Sequence, residues 1–401
     1  MKIVLINQFY PPDTAPTGQL LSDVAIDLAG QDHEVHVICS KGTYAGGDLK
    51  EKDASIRNLT IHRVHASKWG RGSIWGRALD YMSFYIMAFL KIQCMPHMDV
   101  CLALTTPPFI GLIGSFMKKK RKTRFIFWSM DVYPEIAVSL GVLKKESFLH
   151  KVTKKISKKL YARADRIISL GEVMTQKLTE AGVESEKIVT VHNWVPGEVI
   201  KPADPDSFNK FRNEWDVDGK TVFMYSGNLG MGHELEIIYE AIMHLDKTDS
   251  LRLVFVGKGK MRTTLEKLAG NLNLDCVDFH DPVPLKDLSA SITAADVHIV
   301  SQKRGTEGLI VPSKIYGILS AGKPSIFIGP QNCEVANIIK DSKSGVIVDP
   351  EDEYALTEAL KMLSENVSLR EEKGRLARKY YEDNFGKHKS VKSISKVLCK
   401  S

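Results

Sequence analysis

The sequence has few cysteines, and it arranges them in no recognisable pattern. Six cysteines occur in 401 residues, and none of them forms a CxxC pair. So few scattered cysteines in a chain of this length argue against a disulfide scaffold and against a structural zinc site, and they fit a reducing compartment. Clusters of His and Cys at metal-ligand spacing are also missing, as is a DxD motif in the candidate loops, so the sequence predicts no metal site.

Long apolar runs are missing too. No stretch reaches the roughly 18–20 uninterrupted apolar residues of a membrane helix. The nearest candidates are residues 82–90 and 109–117. The run at residues 3–6 stops at Asn7, which is too short for the hydrophobic region of a secretory signal. These absences predict a cytoplasmic protein without a spanning segment.

Positive and negative charges nearly balance over the whole chain, but one segment has a large positive surplus. The net charge is +7, with 26% charged and 8% aromatic residues, which is typical of globular domains. Residues 118–166 contain 15 Lys and Arg against four acids, so the rest of the chain is slightly acidic. A local positive field of this kind indicates an anionic partner.

Short apolar runs alternate with helical patterns in both halves of the chain. The clearest runs are residues 3–6, 100–104, 125–128, 166–170, 221–225, 251–256, 297–300 and 325–328. Such alternation is typical of right-handed βαβ units in parallel sheets, and the length suits two domains. The sequence therefore predicts an α/β protein with two Rossmann-like domains. They are residues 1–197 and 198–380, divided where Pro and Gly cluster near residues 195–205.

Two glycine-rich turns follow predicted strands of the second domain, at residues 226–232 and 257–260. Glycines there would let backbone N–H groups approach an anionic ligand at a helix start. Each turn has a simpler explanation, which is that its glycines only form a tight connection between a strand and a helix. Neither turn matches GxGxxG or GxxxxGK[ST], which argues against a dinucleotide cofactor and against phosphate-loop chemistry.

Residues 304–324, which include the triplet Pro312-Ser313-Lys314, form the most informative stretch. This stretch resembles the nucleotide-sugar loop and helix of the retaining family 4 glycosyltransferases with the GT-B fold. It is most similar to the branch that builds bacterial surface polysaccharides, the colanic-acid and fucosamine-type transferases. The resemblance extends over nearly the whole chain through residues 7–28, 128–135, 191–195, 225–230 and Phe385 with the basic tail.

The resemblance implies two parallel sheets facing a central cleft, an amino-terminal acceptor domain, and a nucleotide held mainly by the second domain. It also implies that a terminal helix, residues 381–401, returns to the first domain. The implied donor-binding residues are Gly18, Gly227, Asn228, Gly230, Lys258, Lys260, Val283, Arg304, Ser313, Lys314 and Glu334. Asp131, Lys314 and Glu307 are the implied catalytic residues.

The sequence departs from the family pattern in three motifs. The two glutamates of its E-x7-E motif fall on Leu309 and Gly317, so that Glu307 or Glu334 would take over one of their contacts. Glu334 could equally be a solvated helix start. The phosphate turn has Asn228 and a position near His233 where the family often has Arg and Lys. The cleft motif has Met130 where many members have His, which leaves Asp131 as its polar candidate.

The implied activity is transfer of a sugar from a nucleoside diphosphate, with UDP as the expected nucleotide, to a lipid-linked saccharide with retained configuration. Preorganised N–H groups and lysines would stabilise the leaving diphosphate, and no cofactor is required. Two alternatives remain open at this point. One is a GT-B 2-epimerase acting on a UDP-sugar, and the other is a scaffold that keeps the fold without donor binding.

The basic segment has its own interpretation. Seven lysines between residues 144 and 159 lie on a helix-compatible stretch with Leu149, Val152, Ile156 and Leu160 on another face. Such helices bind anionic bilayers, although a solvated helix face would have the same composition. The sequence favours a peripheral position at the inner face of the cell membrane. No nucleic-acid motif accompanies the basic residues, and no aromatics are interleaved with them, so nucleic acid is not a predicted partner.

Overall fold

A computed structural model describes residues 1–42, 55–67, 74–204, 208–230, 232–245 and 250–400, with the backbone alone at positions 74, 75 and 77. Pro205 of the predicted domain boundary and Met231 of the first glycine turn lie outside the described residues. The chain divides into two compact units. One comprises residues 1–192, 308–310 and 388–401, and the other comprises residues 193–307 and 311–387.

The first unit contains a seven-stranded parallel sheet with the order β3-β2-β1-β4-β5-β6-β7. Its strands are β1 (Lys2–Ile6), β2 (Glu34–Ser40), β3 (Leu59–Val64), β4 (Val100–Ala103), β5 (Arg124–Trp128), β6 (Arg166–Ser169) and β7 (Ile188–Thr190). The helices between them are α1 (Pro16–Gly30), α2 (Ile74–Gln93), α3 (Gly111–Arg121), α4 (Glu135–Ser139), α5 (Phe148–Arg163) and α6 (Glu172–Glu180).

The second unit contains a six-stranded parallel sheet with the order β10-β9-β8-β11-β12-β13. Its strands are β8 (Thr221–Ser226), β9 (Leu251–Val256), β10 (Val277–His280), β11 (Val297–Ser301), β12 (Ser325–Ile328) and β13 (Gly345–Val348). Its helices are α7 (Lys210–Glu214), α8 (Ile237–Met243), α9 (Arg262–Asn271), α10 (Leu288–Ala294), α11 (Lys314–Ser320), α12 (Glu334–Ser342), α13 (Glu353–Glu365) and α14 (Val367–Asn384). The last helix, α15 (Lys387–Cys399), lies almost wholly in the first unit.

The two-sheet α/β architecture that the sequence predicts is therefore confirmed. The central strands are buried over most of their length, as residues 3–6 of β1 show. Parallel strands with helices on both faces need apolar residues at successive positions, which explains why their sequences are continuous apolar runs rather than alternating ones. Within the described ranges, no helix is both long enough and apolar enough to cross a membrane.

Helix α15 packs on the first unit although it lies far from it in sequence. The Ser395 hydroxyl donates to the Asp27 carboxylate at 2.6 Å, and the Arg124 guanidinium donates to the Leu398 carbonyl at 3.1 Å. The predicted start of the terminal helix, residue 381, falls inside α14. There Tyr381 instead donates its hydroxyl proton to the Val195 carbonyl of the second unit at 2.6 Å.

Candidate functional site

The loops that carry most of the predicted donor-binding residues follow adjacent strands of the second sheet. The segments at 226–230, 257–260 and 302–313 follow β8, β9 and β11, and β8 lies between the other two strands. The carboxyl ends of parallel strands meet at one edge, which is where ligands bind in open α/β sheets. The order of the strands therefore brings these three loops together.

The two glycine turns pack directly on each other. The Leu229 N–H donates to the Lys258 carbonyl at 2.9 Å, and the Met261 N–H donates to the Leu229 carbonyl at 3.0 Å. A Cβ at Gly257 would lie 1.9 Å from the Gly227 carbonyl oxygen, and a Cβ at Gly259 would lie 2.1 Å from the Leu229 carbonyl oxygen. The second turn therefore needs its glycines for close backbone packing, which supports the simpler of the two explanations for Gly257 and Gly259.

Lys314, the first residue of α11, reaches the first glycine turn. Its Nζ lies 3.4 Å from the centroid of the Tyr225 ring and 3.2 Å from the place of a Cβ on Gly227. This Nζ is buried and has no hydrogen-bond partner among the described residues. Burial lowers the pKa of Lys314 well below its ordinary value. An unpartnered buried ammonium is costly, so this geometry suits an anionic group that would supply the partner.

Tyr225 and His233 surround the same lysine. The sequence places both at or near the phosphate turn, but neither is among the predicted donor-binding residues. The Tyr225 hydroxyl donates to the Asn228 carbonyl at 2.9 Å, so one side chain fixes the turn and supports the ammonium. The His233 ring lies 5.6 Å from the Tyr225 ring, and its Nδ1 is 2.8 Å from the Ser301 carbonyl oxygen. Burial, and then the charge of Lys314, lower the pKa of His233 to about 4. At neutral pH this imidazole is therefore uncharged, with Nδ1–H donating to Ser301.

The other predicted cations of the site are paired with acids or lie in solvent. The Arg304 guanidinium contacts the carboxylates of Asp349 and Glu351. The Lys258 ammonium lies 3.2 Å from the Asp281 carboxylate and is two-thirds exposed, and Lys260 is exposed. The sequence predicts that these cations and Lys314 all bind the donor, but in the structure their surroundings differ. Lys314 has the buried, unpartnered ammonium, whereas Arg304 and Lys258 already have carboxylate partners.

Glu334 is not a solvated helix start, because its side chain is buried at the first position of α12. Its charge raises the pKa values of Tyr316 and Tyr380, after the larger contribution of burial. Glu307 is half-buried and lies close enough to Arg304 to raise the pKa of that guanidinium, together with Asp349 and Glu351. Both acids therefore remain candidates for the contact that the family makes with its second glutamate.

The two family glutamate positions have apolar surroundings in this chain. Leu309 is buried in the first unit, where its carbonyl accepts from the Val132 N–H at 2.9 Å. Gly317 is buried in α11, and a Cβ there would lie 3.5 Å from the Ile292 side chain. Within the described part of the chain, no group of three His, Cys, Asp or Glu side chains could hold a metal ion.

The remaining predicted donor residues occupy the same edge of the second sheet. Ser313 is exposed immediately before α11, and its side chain makes no capping hydrogen bond. Val283 packs partly against the core residues Val254 and Val256, in the loop after β10. The Trp215 ring stacks on the His280 ring at the end of β10, with 4.7 Å between centroids. The Val283 loop is therefore supported by aromatic packing that the sequence alone did not reveal.

Gly18 and Asp131 belong to the first unit. A Cβ at Gly18 would lie 3.1 Å from the backbone of Phe9 and Tyr10, so this glycine lets the loop after β1 lie against α1. Asp131 lies in the loop after β5, where burial raises the pKa of its carboxyl to about 6.

We expect Asp131→Asn to change how stability depends on pH. A carboxyl whose pKa rises on folding stabilises the native state below its ordinary pKa of about 4, and this contribution is lost as the pH rises through about 6. The variant should match the wild type at pH 4 and exceed it by about 2 kcal/mol at pH 7.5. Urea unfolding across this range measures the difference. Asp275 is exposed, so Asp275→Asn should leave the dependence of unfolding free energy on pH as it is in the wild type. A difference between Asp131→Asn and the wild type that is the same at every pH would contradict the prediction.

We expect Tyr225→Phe and Tyr225→Leu to weaken unequally the binding of UDP, the nucleotide that the sequence resemblance implies. The phenylalanine keeps the ring beneath Lys314 and loses the hydroxyl bond to Asn228, so a two- to fivefold loss of affinity follows. The leucine also removes the cation–π contact, which is worth about 1 kcal/mol, so a loss of tenfold or more follows. Calorimetry with UDP measures both affinities. Tyr239→Phe, which removes a comparable hydroxyl bond from the core, should bind UDP normally.

Two Rossmann-like units, one of them with a buried lysine ammonium beside a glycine turn, fit the GT-B fold of glycosyltransferases. Residues 206–380 match the family model "Glycosyl transferases group 1", and residues 18–198 match the model "Glycosyltransferase Family 4". The chain belongs to this group 1/family 4 class of glycosyltransferases, which confirms the resemblance found in the sequence.

Relatives and solved structures agree with this assignment. The chain is 28% identical over 267 residues to the probable glycosyltransferase WbjE of Pseudomonas aeruginosa, a match that spans 67% of this chain and 66% of that protein. It is 24% identical over 409 residues to WcaI of Escherichia coli K12, which is named a colanic acid biosynthesis glycosyl transferase, with 98% of both chains covered. The crystal structure of Anabaena HepE in complex with UDP covers both chains completely with a TM-score of 0.76 at 14% identity, which supports the fold.

Proposed function

We propose that the protein transfers a sugar from a UDP-linked donor to a lipid-linked saccharide, with retention of the anomeric configuration, during assembly of a surface polysaccharide. The observation that carries this proposal is the buried Lys314 ammonium beside the first glycine turn, without a hydrogen-bond partner among the described residues. An anionic ligand at this place would both satisfy the lysine and meet the N–H groups of the turn. A nucleoside diphosphate has the necessary charge.

The chemistry needs stabilisation of one developing charge. The bond between the anomeric carbon and the diphosphate oxygen breaks, and the acceptor hydroxyl oxygen forms its bond on the same face of the sugar. The hydroxyl proton passes to the leaving diphosphate. Lys314 and the turn at Gly227, Asn228 and Gly230 would stabilise the negative charge as it forms on that diphosphate, which is usually the largest contribution of an enzyme. Uncharged His233 could accept a hydrogen bond at its second ring nitrogen.

The donor and acceptor are proposed from the relatives. HepE has been crystallised with UDP-glucose as well as with UDP, and WcaI is named for colanic acid biosynthesis. Asp131 of the first unit would contact the transferred sugar, and Glu334 or Glu307 would contact the donor. A lipid-linked acceptor would place the enzyme at the cytoplasmic face of the membrane. Exposed Phe148 and Leu149 beside the lysines of α5 are consistent with that position.

Calorimetry with UDP, GDP and TDP tests the nucleotide. The proposal expects UDP to bind at micromolar concentrations and the other two nucleotides to bind more weakly. A protein that binds none of them would be a scaffold with the fold alone. This alternative has some support in the pairing of Arg304 with Asp349 and Glu351.

A transfer assay tests the reaction. UDP-sugars are incubated with the enzyme and a lipid-linked saccharide extract, and NMR of the product reports its anomeric configuration. The proposal expects a glycosylated lipid whose configuration matches that of the donor. Release of a free 2-epimerised sugar with no glycosylated lipid would instead favour the epimerase, and an inverted product would contradict retention.

A further inference from the structure

Helix α2 of the first unit is apolar on both of its faces. Phe84, Ala88 and Ile92 recur every four residues and are completely buried against the sheet. The opposite face carries large apolar side chains that are 36–56% exposed, namely Leu79, Met82, Ile86, Met87, Phe89 and Leu90. Between positions 79 and 90, Asp80 is the only charged residue of the sequence. A surface helix normally turns polar residues outward, so this outer face is unusual.

The exposed face continues onto the neighbouring helix α3. The Phe89 ring meets the Phe116 ring edge to face, with 5.0 Å between centroids. Leu112, one turn before Phe116, is 38% exposed. The outer face of α2 and Leu112 therefore form an apolar surface supported by two packed helices, which we call the α2 face.

A dense basic cluster lies at one end of the α2 face. The Arg121 guanidinium donates to the carbonyls of Gln93 and Met95 at 3.2 and 3.1 Å, which places the end of α3 against the end of α2. Lys119, Lys120 and Lys122 are exposed beside Arg121, and the last turn of α3 contains no acid. An apolar face bordered by lysines matches the interface of a bilayer, where acyl chains lie beneath anionic headgroups.

We infer that the α2 face docks the protein onto an anionic lipid bilayer, with residues 79–90 in the acyl boundary and residues 119–122 at the headgroups. Charge complementarity selects a bilayer over a second copy of the chain, because two copies would bring two basic clusters together. The inference rests on the proposed function only for the biological purpose of docking, because an enzyme with a lipid-linked acceptor needs to lie at the membrane. It assigns docking to α2 and the end of α3, a surface formed by residues other than those of α5.

Vesicle co-sedimentation of the full chain tests the apolar part. The vesicles contain phosphatidylcholine with 30% phosphatidylglycerol, or phosphatidylcholine alone. Wild-type protein should bind the anionic vesicles, and the triple variant Met82→Gln, Ile86→Gln, Leu90→Gln should bind them at least tenfold more weakly without a change of net charge. The control replaces three exposed apolar residues of the second unit, Met243→Gln, Met362→Gln and Val367→Gln, and should bind like the wild type.

A second variant tests the charged part. Lys119→Gln, Lys120→Gln, Lys122→Gln should weaken binding to anionic vesicles about a hundredfold at low salt, and raising the salt should reduce the difference. Equal binding of wild type and either triple variant would overturn the inference, as would a wild type that ignores anionic vesicles. A dimer in sedimentation velocity that the Met82, Ile86, Leu90 variant dissociates would show that a second copy covers the face, which also overturns it.

UDP calorimetry on the same proteins separates this inference from the proposed function. All variants should bind UDP with wild-type affinity, because none of the changed residues belongs to the site described above. A chain that binds vesicles through the α2 face and fails to bind UDP would contradict the proposed function and keep the docking surface. A chain that binds UDP and does not bind vesicles would contradict the docking surface and keep the proposed function.

Discussion

Lys314→Met is expected to abolish detectable transfer and at the same time to make the nucleotide-free protein more stable. The buried ammonium costs free energy while it has no partner, and methionine fills a similar volume without a charge. With a donor bound, the same charge would stabilise the leaving diphosphate. Loss of one such contact typically lowers kcat by 10²–10³-fold, which is about 3–4 kcal/mol. Thermal unfolding with and without UDP, combined with the transfer assay, measures both effects.

The pH dependence of this stabilisation has a definite sign. A lysine whose pKa falls on folding lowers native stability by its full amount at pH values below its folded pKa. The penalty decreases as the pH rises from there toward the ordinary value of about 10.4. The stability advantage of Lys314→Met should therefore be largest at the low end of the pH range and shrink as the pH rises toward 10. The exposed Lys361→Met is the matched control and should alter neither UDP binding nor this profile. A variant that keeps the UDP-induced rise in melting temperature would refute the role of Lys314.

Gly257→Ala is expected to destabilise the second unit strongly and to weaken nucleotide binding at the same time. Its Cβ would lie 1.9 Å from the Gly227 carbonyl oxygen, and Gly257 has a positive φ of 157°. The two glycine turns would have to separate, at a cost of about 3 kcal/mol in the free energy of unfolding. Because Gly227 belongs to the proposed phosphate turn, UDP affinity should fall by at least a hundredfold as well.

Gly270→Ala provides the contrast for this experiment. Gly270 lies in α9 of the same unit, and a Cβ there would meet nothing within 4 Å. Alanine is a better helix former than glycine, so the free energy of unfolding of this variant should rise by up to about 1 kcal/mol, and the variant should bind UDP normally. Denaturant unfolding of both variants decides the matter. If Gly257→Ala were as stable as Gly270→Ala, the turns would not be packed as described.

The sequence predicts the fold well because each central strand is a local signal. Apolar runs such as residues 3–6 and 325–328 need no partner to be recognised, and the helices between them follow from spacing. The glycine turns and the triplet at 312–314 are equally local. The exposed face of α2 is not predictable in this way. In a helix with apolar residues on all sides, the spacing does not distinguish the face that packs on the core from the face that meets solvent.

The arrangement of charges in the site depends on contacts that the sequence does not mark. Lys314 meets Tyr225 because β8 and β11 are neighbours in the sheet. Arg304 meets Asp349 because the loops after β11 and β13 approach each other, 45 residues apart in the chain. Among several nearby cations, sequence reasoning could not tell which were paired and which was buried. The sequence signal for the ring beneath Lys314 is the tyrosine at the end of the strand, before Ser226 and Gly227, because an aromatic ring can support a cation.

The position of α15 has a consequence for synthesis of the chain. Its contacts with Asp27, His33 and Arg124 join residues made early in translation to residues made after the entire second unit. While that unit emerges from the ribosome, the surface around α1 stays uncovered and its apolar positions remain available to chaperones. The amino-terminal half should thus acquire full resistance to proteases only after α15 has been synthesised and has packed on it.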